Sequence, residues 1–249
     1  MDTAVLDEHT DAVFADLGDP KTWVGRLEGR DSLALNVIDA IQATRSPYAS
    51  VAKVLGRYRR FRADDGTDAR TDGVADLLRS FDRIGGADAW ADVIGNRKPV
   101  ATTVGSVLKA AAIQQAARVV LDSDIEHAED LRHAEPSVVE TVRTAWLAVP
   151  GQRSGLTWSY LAMLSDVTAP GHDHLVQRYL ARAHGVLTAD VTVDDALRVL
   201  EVGAAALGVD PRDLEHAMWR KESGRPVGGD SAQVAQPSEP PSKSPSVSR

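Results

Sequence analysis

No stretch of this sequence alternates apolar and polar residues long enough to demand a β-sheet, whereas apolar residues recur at helical spacing almost throughout. Leu33, Leu35, Val37, Ile38 and Ile41 fit a helix opened by Asp31 and Ser32 and ended near Thr44. Pro47 starts another, carrying Val51, Val54, Leu55 and Tyr58. The same spacing predicts further helices over 71–83, 87–94, 103–122, 136–148, 155–166, 173–184, 192–207 and 211–221. Gly or Pro stands where several of them stop, in "GDP" at 18–20, "RIGG" at 83–86, "APG" at 169–171 and "GVDP" at 208–211. Thr192 with Asp195, and Asp210 with Pro211, are expected helix starts. The expectation is an all-α helical bundle.

With 249 residues, 43% of them hydrophobic and 26% charged, the chain can bury a sizeable core in one large domain or two intimate helical lobes with a cleft between them. Residues 1–20 form an acidic N-terminal segment with six Asp or Glu and no Lys or Arg, the opposite of a secretory or transit leader. The longest uncharged run in the folded part, Ser154–Ser165, is too short to cross a bilayer. A cytoplasmic protein without a membrane partner is therefore expected. The helical domain is expected over 21–222. From 223 to 249, 15 of 27 residues are Ser, Pro or Gly, which predicts a disordered tail.

The absence of cysteine excludes disulfides, thiolate metal sites, iron–sulfur clusters and cysteine nucleophiles, and neither a metal nor a cofactor is expected. Charge is unevenly spread. The formal total is −8, yet residues 40–118 hold 13 Lys or Arg against 8 Asp or Glu, a local +5. Much of that surplus lies in "GRYRRFR", with Arg57, Arg59, Arg60 and Arg62, which is either a phosphate-facing surface or the solvated face of a helix.

The segment "VETVRTAWLAVPGQRSGLTWSYLAML" reads as two helices joined by a tight turn at Pro150 and Gly151, spanning 136–166. The backbone N–H groups of such a turn, and of the second helix's start, can meet a phosphate without reading sequence; a purely packed αα-hairpin has the same signature. Asp173 then stands in the first turn of the next helix, where Asp is also an ordinary N-cap.

Together these residues resemble the helix-hairpin-helix DNA glycosylases, the superfamily that includes endonuclease III and the adenine-mismatch glycosylases. Val149-Pro150-Gly151 matches the start of the family's hairpin, Asp173 falls on its essential Asp, and Arg178 on a position that is also basic there. "LKAAAIQQAARVVLDSD" is similar to the family's lysine-alanine helix, and "AIQATRSPYASVAKV" to the segment whose glutamine, here Gln42, wedges into the duplex beside a flipped nucleotide. The likeness spans roughly residues 31–185. It implies double-stranded DNA as partner, contacted by Pro150, Gly151, Arg153, Gln42 and Arg178. Asp173 would be the carboxylate that stabilises charge developing on the sugar as the N-glycosidic bond is hydrolysed. His172 and His174 flank it. Trp158 and Tyr48 are the candidates to stack on an extruded base, with core packing as their other reading; Trp146 and Trp219 read as core, and Tyr160 as part of a core stripe.

Two departures qualify the resemblance. Arg153 replaces the second hairpin glycine, and Gly155 stands where bifunctional members carry the lysine that attacks the sugar, so lyase chemistry through a Schiff base is not expected. Three readings stay open: a monofunctional DNA glycosylase, a non-catalytic nucleic-acid-binding descendant of that fold, and a helical interaction protein in which Asp173 only caps a helix.

Overall fold

The computed structural model describes residues 14–23, 31–167 and 171–228. Among them every regular element is helical, and β-type pairing is limited to two isolated bridges, Trp23 with Gly228 and Pro99 with Leu108. Eleven α-helices follow in order: α1 Leu33–Gln42, α2 Tyr48–Asp64, α3 Val74–Ile84, α4 Ala87–Val93, α5 Lys109–Leu121, α6 Ala128–His133, α7 Pro136–Ala148, α8 Leu156–Leu164, α9 His174–His184, α10 Val193–Leu207 and α11 Pro211–Glu222. The expected all-α architecture is present.

Helix starts follow the local chemistry. Ser32 Oγ accepts from Leu35 N at 3.2 Å to open α1, Thr192 and Asp195 exchange hydrogen bonds as a capping box at α10, and Asp210 caps α11 ahead of Pro211. Two expectations shift. The helix predicted from 103 begins only at Lys109, because 99–108 folds back on itself through Val100 N→Val107 O and the Pro99–Leu108 bridge. The short α6 carries too few residues for periodicity to reveal it.

At the other end, described contacts continue past residue 222. Val227 is buried, Arg220 Nε donates to Pro226 O at 2.7 Å, and Gly228 pairs with Trp23. The rest of the expected tail, residues 1–13 of the acidic segment, and Thr168–Pro170 of the predicted "APG" stop lie outside the described residues.

Two groups of helices build the core. In the first, α1 is surrounded by α2, α3, α5 and α8, with α4 and α7 packed on α5. All ten residues of α1 are buried. In the second, α9, α10 and α11 pack on one another, with the 3-10 turn Ala15–Leu17 against α11. The groups meet where Tyr160 of α8 stacks on Trp219 of α11, ring centroids 4.1 Å apart.

A buried knot around Asp72 ties α1 and α2 to the start of α3. Asp72 accepts from Tyr58 Oη at 2.9 Å and pairs with Arg62 Nε at 2.7 Å, while its main-chain oxygen receives Ser32 Oγ and Ala34 N. Arg62 also reaches Asp76 at 2.8 Å. Removing Asp72 leaves Tyr58 Oη and one edge of Arg62 unpaired while Asp76 still holds Arg62, so Asp72→Ala is expected to cost about 1–3 kcal/mol in a urea unfolding experiment. Tyr58→Phe, which removes one hydrogen bond to the same carboxylate, is expected to cost about 1 kcal/mol.

Candidate functional site

Where the two helix groups meet, polar and aromatic side chains gather around a buried carboxylate. Asp39, in the middle of α1, is 2% exposed. Its Oδ2 faces Tyr160 Oη at 3.4 Å, and its Oδ1 has no hydrogen-bond partner among the described residues. Tyr160 stacks in turn on Trp219 and on His216, and its hydroxyl lies 3.5 Å from His216 Nε2.

Three arginines surround this centre, and aromatic rings hold two of them. Arg220 lies over the Tyr48 ring at 4.4 Å, and Arg225 lies over both Tyr160 and Trp219 at 4.7 and 4.3 Å. Arg59 comes from α2. Each keeps buried N–H groups without a partner among the described residues: Nε and Nη2 of Arg59, Nη2 of Arg220, Nη1 of Arg225. Gln42 Nε2 and Trp219 Nε1 share that condition. Buried donors are nearly always paired, which makes the surroundings of Asp39 the candidate site.

Burial pushes Asp39 up to about 6, against the opposing pull of Arg220, Arg225, Tyr160 and Arg59. Lys109 lies beside the same centre. Its ammonium donates to Gln42 O and Ser46 Oγ at 3.0 Å each, and to Thr44 O, so it closes the C-terminal end of α1. Burial, with Lys98, Arg225 and Arg45 nearby, lowers Lys109 to about 8.

Of the residues singled out from sequence, Gln42 and Tyr48 reach this centre. Gln42 is fully buried, its Oε1 accepting from Asn96 Nδ2 at 2.9 Å. Trp158 instead packs edge-on against Trp146, centroids 6.1 Å apart, inside the core. Arg178 is bound to Glu222, at 2.6 Å from Nε to the carboxylate. Of "GRYRRFR", Arg57 donates to Ile94 O and Arg62 belongs to the Asp72 knot, Arg60 is exposed, and Arg59 turns to the cluster.

The hairpin stands apart. Gly151 adopts φ +81 and sits so close to Val100 that a Cβ would lie 2.6 Å from Val100 Cβ, so the turn's glycine is spent on packing. Pro150 and Arg153 are exposed beside it. A buried chain fixes the turn from within: Trp146 Nε1 donates to Thr157 Oγ1, which donates to Gln152 Oε1 at 2.7 Å.

Asp173 caps α9, its Oδ1 accepting from Leu175 N at 2.7 Å. Burial raises its pKa against the backbone N–H groups of Leu175 and Val176 and the charge of His174. Glu215 of α11 is near enough to feel its charge and accepts from Gly171 N at 2.8 Å. His172 and His174 are exposed.

Asp39, Arg220 and Arg225 were not singled out from sequence. Asp39 interrupts the apolar face of a wholly buried helix, which was the available signal; Arg225 was hidden by the Ser, Pro and Gly around it.

Asp39 makes stability depend on pH. Unfolding returns it to its ordinary value of 3.8, so between about pH 4 and pH 6 the folded chain holds a proton that the unfolded chain has lost. Its contribution is full below that window and disappears as pH rises through it. Asp39→Asn, neutral throughout, is expected to flatten the melting temperature across this range and to exceed the parent at pH 7 by up to about 3 kcal/mol. Parallel pH profiles for the two proteins would show that Asp39 does not titrate there.

Among the described residues no helix is long and apolar enough to cross a membrane, and no group of His, Asp and Glu is placed to hold a metal ion. No curated protein and no solved structure matches the chain. A family model described as a domain of unknown function, DUF8548, matches residues 7–223, and the chain belongs to that family.

Proposed function

We propose that this chain is a nucleic-acid-binding protein of the helix-hairpin-helix glycosylase type, with Asp173 as the carboxylate for hydrolysis of an N-glycosidic bond. One observation carries the reading. The helix that ends in Gln42 packs along the second helix of the hairpin, Asn36 Nδ2 donating to Ser165 Oγ at 3.0 Å and Tyr160 reaching Asp39, while the next helix is opened by the desolvated carboxylate of Asp173. The segment that ends in Gln42 and the second helix of the hairpin, two of those that carry the sequence resemblance, are therefore neighbours in space.

In that reaction the bond between sugar and base breaks, positive charge grows on the sugar, and water adds to it as the base departs. An ionised Asp173 opposes that charge and orients the water. Gly155 supports hydrolysis without a lyase step: it opens α8 at φ +77, so a lysine there would be strained as well as absent. Arg153, exposed at the hairpin tip, supplies a phosphate contact. One observation favours a second, binding-only reading: the Asp173 oxygen is already engaged by Leu175 N.

The test is base release from duplexes carrying different modified bases, with alkali to reveal abasic sites. Asp173→Asn retains the cap, so stability should stay within about 1 kcal/mol of the parent while base release falls on the order of a hundredfold. Borohydride should trap no adduct. Arg153→Glu should weaken DNA binding at low salt, with less effect as salt rises. DNA binding without base release from any duplex would establish the binding-only reading, and an absence of DNA binding would remove both.

A further inference from the structure

We propose that Arg59, Arg220 and Arg225 form an oxyanion site that takes a phosphate group, and that this site exists whether or not the chain cleaves a glycosidic bond. It goes beyond the nucleic-acid reading, because nothing in that reading uses these three side chains.

The chemistry of the unpaired atoms decides the ligand class. All of those contributed by Arg59, Arg220, Arg225, Gln42 and Trp219 are N–H donors, so the missing partner is an acceptor. Three guanidinium charges stand against the single carboxylate of Asp39, which makes the acceptor an anion. The arginines are not spent on Asp39 itself, since its Oδ1 and their N–H groups are unpaired at the same time. Arg220 is 1% exposed and Gln42 is fully buried. Arg59 and Arg225 are half-buried and mark the side open to entry.

Geometry narrows the class further. A guanidinium lying flat on an aromatic ring loses little by contact with it and keeps its N–H edge for a ligand. Arg220 lies over the Tyr48 ring, and Arg225 lies against the stacked pair of Tyr160 and Trp219. The N–H edges that these contacts leave free can meet oxygen atoms. Forked donors from several guanidiniums suit the equivalent oxygens of a phosphate group. Its source is either free phosphate and mononucleotides, or the backbone of a nucleic acid.

The full chain can be tested by thermal shift at fixed ionic strength, with inorganic phosphate, deoxyadenosine monophosphate and a single-stranded DNA oligonucleotide as separate probes and chloride as reference. A ligand of the native state raises the melting temperature with its concentration. Arg59→Gln and Arg225→Gln should each raise the half-saturating concentration about tenfold or more; Arg59 lies over no aromatic ring among the described residues, so its variant stays informative if Arg225→Gln unfolds. An arginine-dependent response to phosphate or the mononucleotide establishes a free-phosphate site, and it survives even if DNA binding fails. A response to the oligonucleotide alone, again lost in the variants, places a backbone phosphate there. No response beyond chloride to any probe, or the same response in parent and Arg59→Gln, would overturn the site.

Discussion

Complete burial of α1 is the constraint on which the rest of the structure depends. A helix with no solvent-facing side must bring partners to most of the polar groups it carries. Asn36, Asp39 and Gln42 recur at three-residue intervals along it, so they rise on one side as a polar stripe through an apolar core. Each draws in a different element: Asn36 meets Ser165 beyond α8, Asp39 meets Tyr160 within α8, and Gln42 meets Asn96 beyond α4. The stripe thus fixes how the hairpin's second helix lies on the central one, and Lys109 secures the end of α1 from the start of α5.

The second group of helices joins through aromatic contact rather than a broad apolar face. Tyr160 on Trp219 forms the seam, and Arg225 covers both rings. Guanidiniums suit this position because they stack like planar groups and still retain charge. Their field would favour ionised Asp39, yet desolvation outweighs it and keeps the carboxyl near 6. The centre therefore holds both unpaired donors and a reluctant acceptor, an expensive combination for folding alone.

The helical architecture was legible because amphipathic spacing, N-caps and Gly or Pro stops are local properties. α1 was legible through Leu33, Leu35, Val37, Ile38 and Ile41, and the hairpin through Pro150 and Gly151. What local pattern misses is convergence across sequence distance. Asp39 meets a tyrosine 121 residues away, and Arg225 sits in a stretch whose Ser, Pro and Gly content reads as tail. The ring of Trp158 illustrates the opposite error: an aromatic residue beside a hairpin invites a stacking role, while its burial against Trp146 is decided by α7.

Helix α11 connects the two places where chemistry is concentrated. Its first turns carry Glu215, bound to Gly171 N two residues before Asp173, and its last turns carry Trp219 and Arg220 at the arginine cluster. Glu215 is 2% exposed, and burial raises its pKa despite Arg212 at 3.3 Å. Because Glu215 and Trp219 are one helical turn apart on the same rigid element, a displacement of α11 at one end moves the other. The arginine cluster and Gly171, two residues before Asp173, are thus both held by one helix.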